Sequence, residues 1–166
     1  MKVRNEYQKF FRDERFTHHI TLPPSNLNEK TVLKPLREIE FRLNKTFLKS
    51  SFPKYAETDR FTFFVFPEDK NLDLQHFHIL LFSPFKRDKE FNKEQCIACR
   101  FREEPFYETC PHCTTRVLYQ LIEEHLPQLE NVQVTICAEH DYHDNIYATK
   151  KQMFSYEYAD SYLVCR

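Results

Sequence analysis

The segment Leu74–Leu81, LQHFHILL, places His76 and His78 one residue apart within a run that otherwise reads as buried β-strand. Side chains at i and i+2 on a strand project to the same face. The two imidazoles would then share one face, with Phe77 turned to the other, and neutral imidazoles are good ligands for divalent metals. With 8 histidines in 166 residues, chance alone supplies an H-x-H pattern about 0.4 times, so the pair alone is equally compatible with hydrogen-bonded sheet histidines. A hard cation also wants a carboxylate. The preceding apolar run ends FVFPED, and a hairpin folded over the polar turn near Asp69–Asn71 returns Glu68 beside His76, with Asp69 and Asp73 as fallbacks. His76, His78 and Glu68 would leave coordination positions open for a phosphate oxygen.

A nucleophile is offered by HDNIYATKKQ (143–152). On a helix, Tyr147 shares a face with Lys150 or Lys151, three and four residues on. It is the only tyrosine of the nine with a lysine at either spacing. A phenol ionises near pH 10, so it needs a polarised phosphate and a nearby ammonium to stabilise charge in the transition state. His143 and Asp144 are possible further ligands. An exposed helix with routine charges gives the same pattern.

Four cysteines form C-x2-C-x10-C-x2-C: Cys96, Cys99, Cys110 and Cys113. Two close pairs in a reducing compartment suit a tetrahedral Zn2+ site, with a redox CxxC pair as the alternative. Four thiolates close the site to catalysis, so its role would be structural. It would lie in an element inserted over residues 94–115, with His112 a neighbour. Cys137 and Cys165 read as ordinary thiols.

These residues need a scaffold. FTHHITLPP (16–24) reads as a strand stopped by two prolines. Val32, Leu36, Ile39, Leu43 and Phe47 recur at helical spacing over 29–49. Strands follow at 60–68 and 72–82, a helix over 115–126, a strand over 131–139 and a helix over 141–158. The last residues, ADSYLVCR, allow a short strand. The order β-α-β-β-α-β predicts a single α+β domain over residues 1–166, with a ferredoxin-like antiparallel sheet and helices on one face.

Composition narrows the chemistry. The chain has no glycine, which excludes a Walker A loop, a Rossmann fingerprint and a G-x-S-x-G elbow. Charged residues make up 30%, a globular proportion. There is no apolar run of membrane-spanning length and no apolar stretch near the N-terminus, so an intracellular, cytoplasmic protein without membrane contact is expected. The net charge of −1 conceals an excess of positive charge in residues 1–60, with 13 Lys and Arg against 8 Asp and Glu. Lys34, Arg37, Lys45 and Lys49 share a side of the first helix, with Arg42 nearby. They read as a surface for an anionic partner or as a solvated face.

Taken in order, HFHILL resembles the HUH motif and YATK the Y-x-x-K motif of HUH endonucleases, above all the single-tyrosine Rep nickases that initiate rolling-circle replication. FVFPE resembles the strand that carries their acidic metal ligand, and FTHHITLP occupies the place of their first strand motif. The resemblance spans roughly residues 16–155. It implies Mg2+ or Mn2+ held by His76, His78 and Glu68, and attack by Tyr147 on single-stranded DNA at an origin or hairpin-type site. The products would be a 5′-phosphotyrosine and a free 3′-hydroxyl, with Lys150 steadying the phosphate and the basic helix holding the DNA backbone. A bacterial, phage or plasmid setting is implied, with any helicase supplied separately. Many Rep proteins have a glycine soon after the Y-x-x-K lysine, where this chain has Lys151 and Gln152. Alternatives are an HUH transposase or relaxase with the same chemistry, or a noncatalytic zinc-bearing DNA-binding module. A 2H phosphoesterase needs two H-x-T/S strands; HIT (19–21) fits one, and the only other such triplet is HCT (112–114), inside the cysteine element.

Overall fold

A computed structural model describes residues 16–68, 75–84, 111–137 and 163–164. Along the chain run β1 (Phe16–Ser25), α1 (Glu29–Leu48), β2 (Thr62–Glu68), β3 (Gln75–Phe82), α2 (Pro111–His125), β4 (Gln133–Ile136) and β5 (Leu163–Val164). Two short 3-10 turns, Lys49–Lys54 and Glu57–Asp59, link α1 to β2. The sheet order is β4-β1-β3-β2-β5 and every neighbouring pair is antiparallel. The architecture is therefore α+β, and its first four strands and two helices are arranged compatibly with a ferredoxin-like core.

Asn28 starts α1. Its Oδ1 accepts from the backbone N–H groups of Lys30 and Thr31, both at 3.0 Å, while its own N–H donates to Thr31 Oγ1 at 2.8 Å. This is a capping box with threonine in the reciprocal position. The apolar stripe read from the sequence is buried in full, with Asn44 beside it. It packs with Val117, Leu118, Leu121 and Ile122 of α2 against one face of the sheet, formed by Ile20, Leu22, Phe63, Val65, Phe77, Ile79 and Leu81.

Asn44 is buried because it serves the backbone. Its amide nitrogen donates to the carbonyls of Glu40 and Phe61, and its Oδ1 accepts from Phe61 N–H, all at 2.9 Å. One turn earlier, a Glu40 carboxyl oxygen accepts from Phe63 N–H at 2.7 Å. The start of β2 is thus stitched to α1 by side chains. Burial pushes the Glu40 carboxyl up to about 8, against the opposing pull of the Phe63 N–H and the guanidinium groups of Arg60 and Arg37.

Some boundaries differ from those read in the sequence. β1 continues past Pro23 and Pro24 to Ser25, and its pairing with β3 slips between Leu22 and Ser25. Prolines, which lack the N–H that a ladder needs, are accommodated at such irregularities. α2 begins at Pro111 instead of Thr115. Proline is well suited to a first helical position, where its missing donor is not needed. Residues 111–115 of the expected 94–115 insertion therefore belong to a core helix. The short closing strand is β5, which pairs with β2 through Phe64 and Val65. Lys49 and Asn131 adopt φ of 62° and 60°, a region that glycine usually fills. Among the described residues, no helix is long and apolar enough to cross a membrane.

Candidate active site

Alternation along β3 divides its residues between the two faces of the sheet. Phe77, Ile79 and Leu81 enter the core beneath the helices. His76, His78, Leu80 and Phe82 project to the opposite face, where Phe16, Phe66, Leu80 and Phe82 form a second buried cluster with Phe64 against it. The ring centroids of His76 and His78 are 5.2 Å apart. In the register of β2 with β3, Glu68 stands opposite His76 and Phe66 opposite His78. Directly opposed residues share a face, so the backbone brings Glu68 beside His76, as the hairpin reading expects. The Glu68 side chain itself lies outside the described residues.

β1 adds a residue that the sequence marked only as the start of the HIT triplet (19–21) and not as part of this site. His19 pairs with Leu80, and Thr21 with His78. His19 therefore lies diagonally across from His78 on the same face. Its Nε2 is 3.1 Å from His78 Nδ1, and Thr21 Oγ1 is 3.5 Å from that same nitrogen. Both histidines are buried, at 9% and 5% exposure. Burial, and then the neighbouring His78, lower the His19 pKa to about 4, so its ring is neutral at neutral pH.

His18, its neighbour in sequence, turns the other way. Its Nδ1 is 2.9 Å from Thr17 Oγ1 and its Nε2 is 3.0 Å from Thr115 Oγ1, a link from β1 to α2. The available signal was the tandem HH within a strand, which must send one imidazole to each face. Choosing the face that meets His78 requires the β1–β3 register.

Of the other predicted site residues, only Cys113 and the basic residues on or beside α1 lie within the described residues. Tyr147, Lys150, Cys96, Cys99 and Cys110 lie outside the described residues, as do the fallback ligands Asp69, Asp73, His143 and Asp144. Cys113 sits in the first turn of α2, buried within the helix-side core. Lys34, Arg37, Lys45 and Lys49 are all exposed on or beside α1. That helix packs on the face of the sheet opposite the histidines. Arg42 is engaged by Glu38 at 2.7 Å.

The donor set on the histidine face suits a divalent cation. His76 and His78 would supply imidazole nitrogens, and Glu68 stands in register to supply a hard oxygen. Among the described residues, no three of His, Cys, Asp or Glu are grouped so as to hold a metal by themselves, so a complete site would depend on the Glu68 carboxylate or on another donor. Compared with protein-family profiles, with curated proteins and with solved structures, the chain matches none.

Proposed function

We propose that the protein is a metal-dependent single-stranded DNA nickase and ligase of the HUH type. The observation that carries this reading is the pairing of Glu68 with His76 across β2 and β3, on the face that also receives His78. It supports the reading because strand spacing and the hairpin single out these three positions as candidate ligands. His76, His78 and Glu68 would hold Mg2+ or Mn2+, which acts when bound as a Lewis acid on a phosphate oxygen. The Tyr147 oxygen would attack phosphorus in line with the departing 3′ oxygen. The new bond is from the phenolic oxygen to phosphorus, and the bond broken is from phosphorus to O3′. The phenolic proton passes, by way of solvent, to the departing 3′ oxygen, which leaves as a hydroxyl, and the 5′-phosphate stays on the enzyme. Lys150 would neutralise charge on the phosphate, and the reverse reaction rejoins the strand.

Cys96, Cys99, Cys110 and Cys113 would hold a structural Zn2+, anchored to the core through Cys113 on α2. Because α1 lies across the sheet from the histidines, Lys34, Arg37, Lys45 and Lys49 would contact DNA flanking the nick and not the scissile phosphate. Initiation of rolling-circle-type replication, or nicking of a target replicon, is the proposed use.

Incubating the protein with a library of labelled single-stranded oligonucleotides and Mn2+, followed by a denaturing gel, tests the reading. The expected product is a covalent protein–DNA adduct that Tyr147→Phe abolishes. Cleavage without an adduct would indicate hydrolysis, and a gel shift without cleavage a noncatalytic DNA-binding module. Either result overturns the proposal.

A further inference from the structure

Resting on the metal centre just proposed, we infer that His19 is a positioning residue, accepting a hydrogen bond at Nε2 from the Nδ1–H of His78 and so fixing the tautomer in which His78 offers Nε2 to a divalent cation. The 3.1 Å separation is that of a hydrogen bond. A neutral imidazole carries one proton on one of two nitrogens, so two neutral rings joined this way share a single proton between the facing atoms. If His19 donated it, the proton of His78 would sit on Nε2 and that atom could not ligate. If His78 donates, its Nε2 keeps the lone pair. Thr21 Oγ1, 3.5 Å from the same His78 nitrogen, is a hydroxyl that can accept from Nδ1–H in this arrangement or donate in the other.

The scaffold holds the pair firmly. β1 lies between β4 and β3, paired on both sides, and His19 itself pairs with Leu80 and Thr135. The orienting ring therefore comes from an interior strand of the sheet. Metal-bound histidines are commonly oriented by a partner on their other nitrogen, and loss of that partner weakens metal binding by about 10- to 100-fold. One alternative accounts for the same distance. Two imidazoles binding one ion at right angles, with bonds of about 2.1 Å, also place their nitrogens about 3 Å apart. The two arrangements differ in how many imidazole nitrogens touch the ion.

The experiment combines two readouts on the full chain near neutral pH. Nitrogen-15 NMR of the histidine side chains is expected to show His78 protonated at Nδ1 without metal, and a mixture of tautomers in His19→Leu. Titration with Mn2+ is expected to show affinity reduced about 10- to 100-fold in His19→Leu. His19→Gln, whose amide oxygen can still accept the bond, is expected to recover most of it. Pulsed electron spin resonance of bound Mn2+ is expected to show two coordinated imidazole nitrogens in both the wild type and His19→Gln. Three in the wild type, falling to two in the glutamine variant, would make His19 a direct ligand and overturn the inference. So would His78 protonated at Nε2 in the wild type, or unchanged affinity in a folded His19→Leu. A wild type that binds no Mn2+ removes the metal centre and the inference with it. Binding that follows the expected pattern without any DNA cleavage removes only the nickase reading.

Discussion

The two faces of the sheet are built from the same strands yet obey different rules. Beneath the helices, β3 contributes Phe77, Ile79 and Leu81 to a continuous apolar layer. On the reverse, the same strand contributes His76 and His78 at one end and Leu80 and Phe82 at the other. Phe16 meets Phe64 and Phe82 edge to face, with centroids 5.5 and 5.4 Å apart. The second face therefore grades from aromatic packing to imidazoles within a few residues. The apolar end helps explain the chemistry of the other. Burial holds the His19 ring neutral, its pKa lowered to about 4, the state in which an imidazole nitrogen can accept a hydrogen bond. One face specifies the fold, and the other uses the rigidity so gained to hold polar groups in a fixed arrangement.

The contrast is sharpest between adjacent residues. Phe77→Ala removes a fully buried ring from the helix side and is expected to lower stability by about 3–5 kcal/mol. His78→Ala, one residue away on the other face, is expected to cost about 1–2 kcal/mol while eliminating covalent adduct formation. Denaturant titration of both variants, with the adduct assay alongside, would break the comparison if the losses were interchanged. The helix side also has polar exceptions. Asn44→Ala would leave both the N–H and the carbonyl of Phe61 without the side-chain partner they use, for an expected loss of about 2–4 kcal/mol in the same titration.

A further effect depends on pH. The folded-state pKa of Glu40 is raised to about 8 from a reference of 4.5. The folded protein therefore holds this proton more tightly than the unfolded chain. The resulting stabilisation is fully present below 4.5 and is lost as pH rises through about 8. Glu40→Gln keeps an acceptor for Phe63 N–H and removes the titration. Near pH 9 it is expected to be more stable than the wild type by about 1–3 kcal/mol, after discounting for partial exposure, with little difference near pH 4. Melting curves at the two pH values provide the check.

Local pattern carried much of this organisation. The period of α1 exposed its buried stripe, the H-x-H spacing placed two imidazoles on one face, and the short polar turn foretold Glu68 opposite His76. What escaped was non-local. His18 and His19 are equivalent in sequence, and their roles separate only when β1 pairs with β3, nearly sixty residues away. Asn44 and Glu40 read as ordinary polar residues of an amphipathic helix, because their partners are backbone groups of a later segment. Cys113 read as part of an insertion, yet Pro111 begins a helix that carries it into the core.

The positive φ angles at Lys49 and Asn131 have a consequence for the unfolded ensemble. Where most chains place glycine at such turns, this one uses residues with side chains, and it contains no glycine elsewhere. Each glycine replaced at a compatible position narrows the conformations open to the denatured chain, an effect worth about 0.4–1 kcal/mol. At Lys49 and Asn131, where φ is positive, local strain works against that gain. The pairing that joins His19 to His78 spans a long loop, and its closure is eased by a polypeptide that begins with less freedom to surrender.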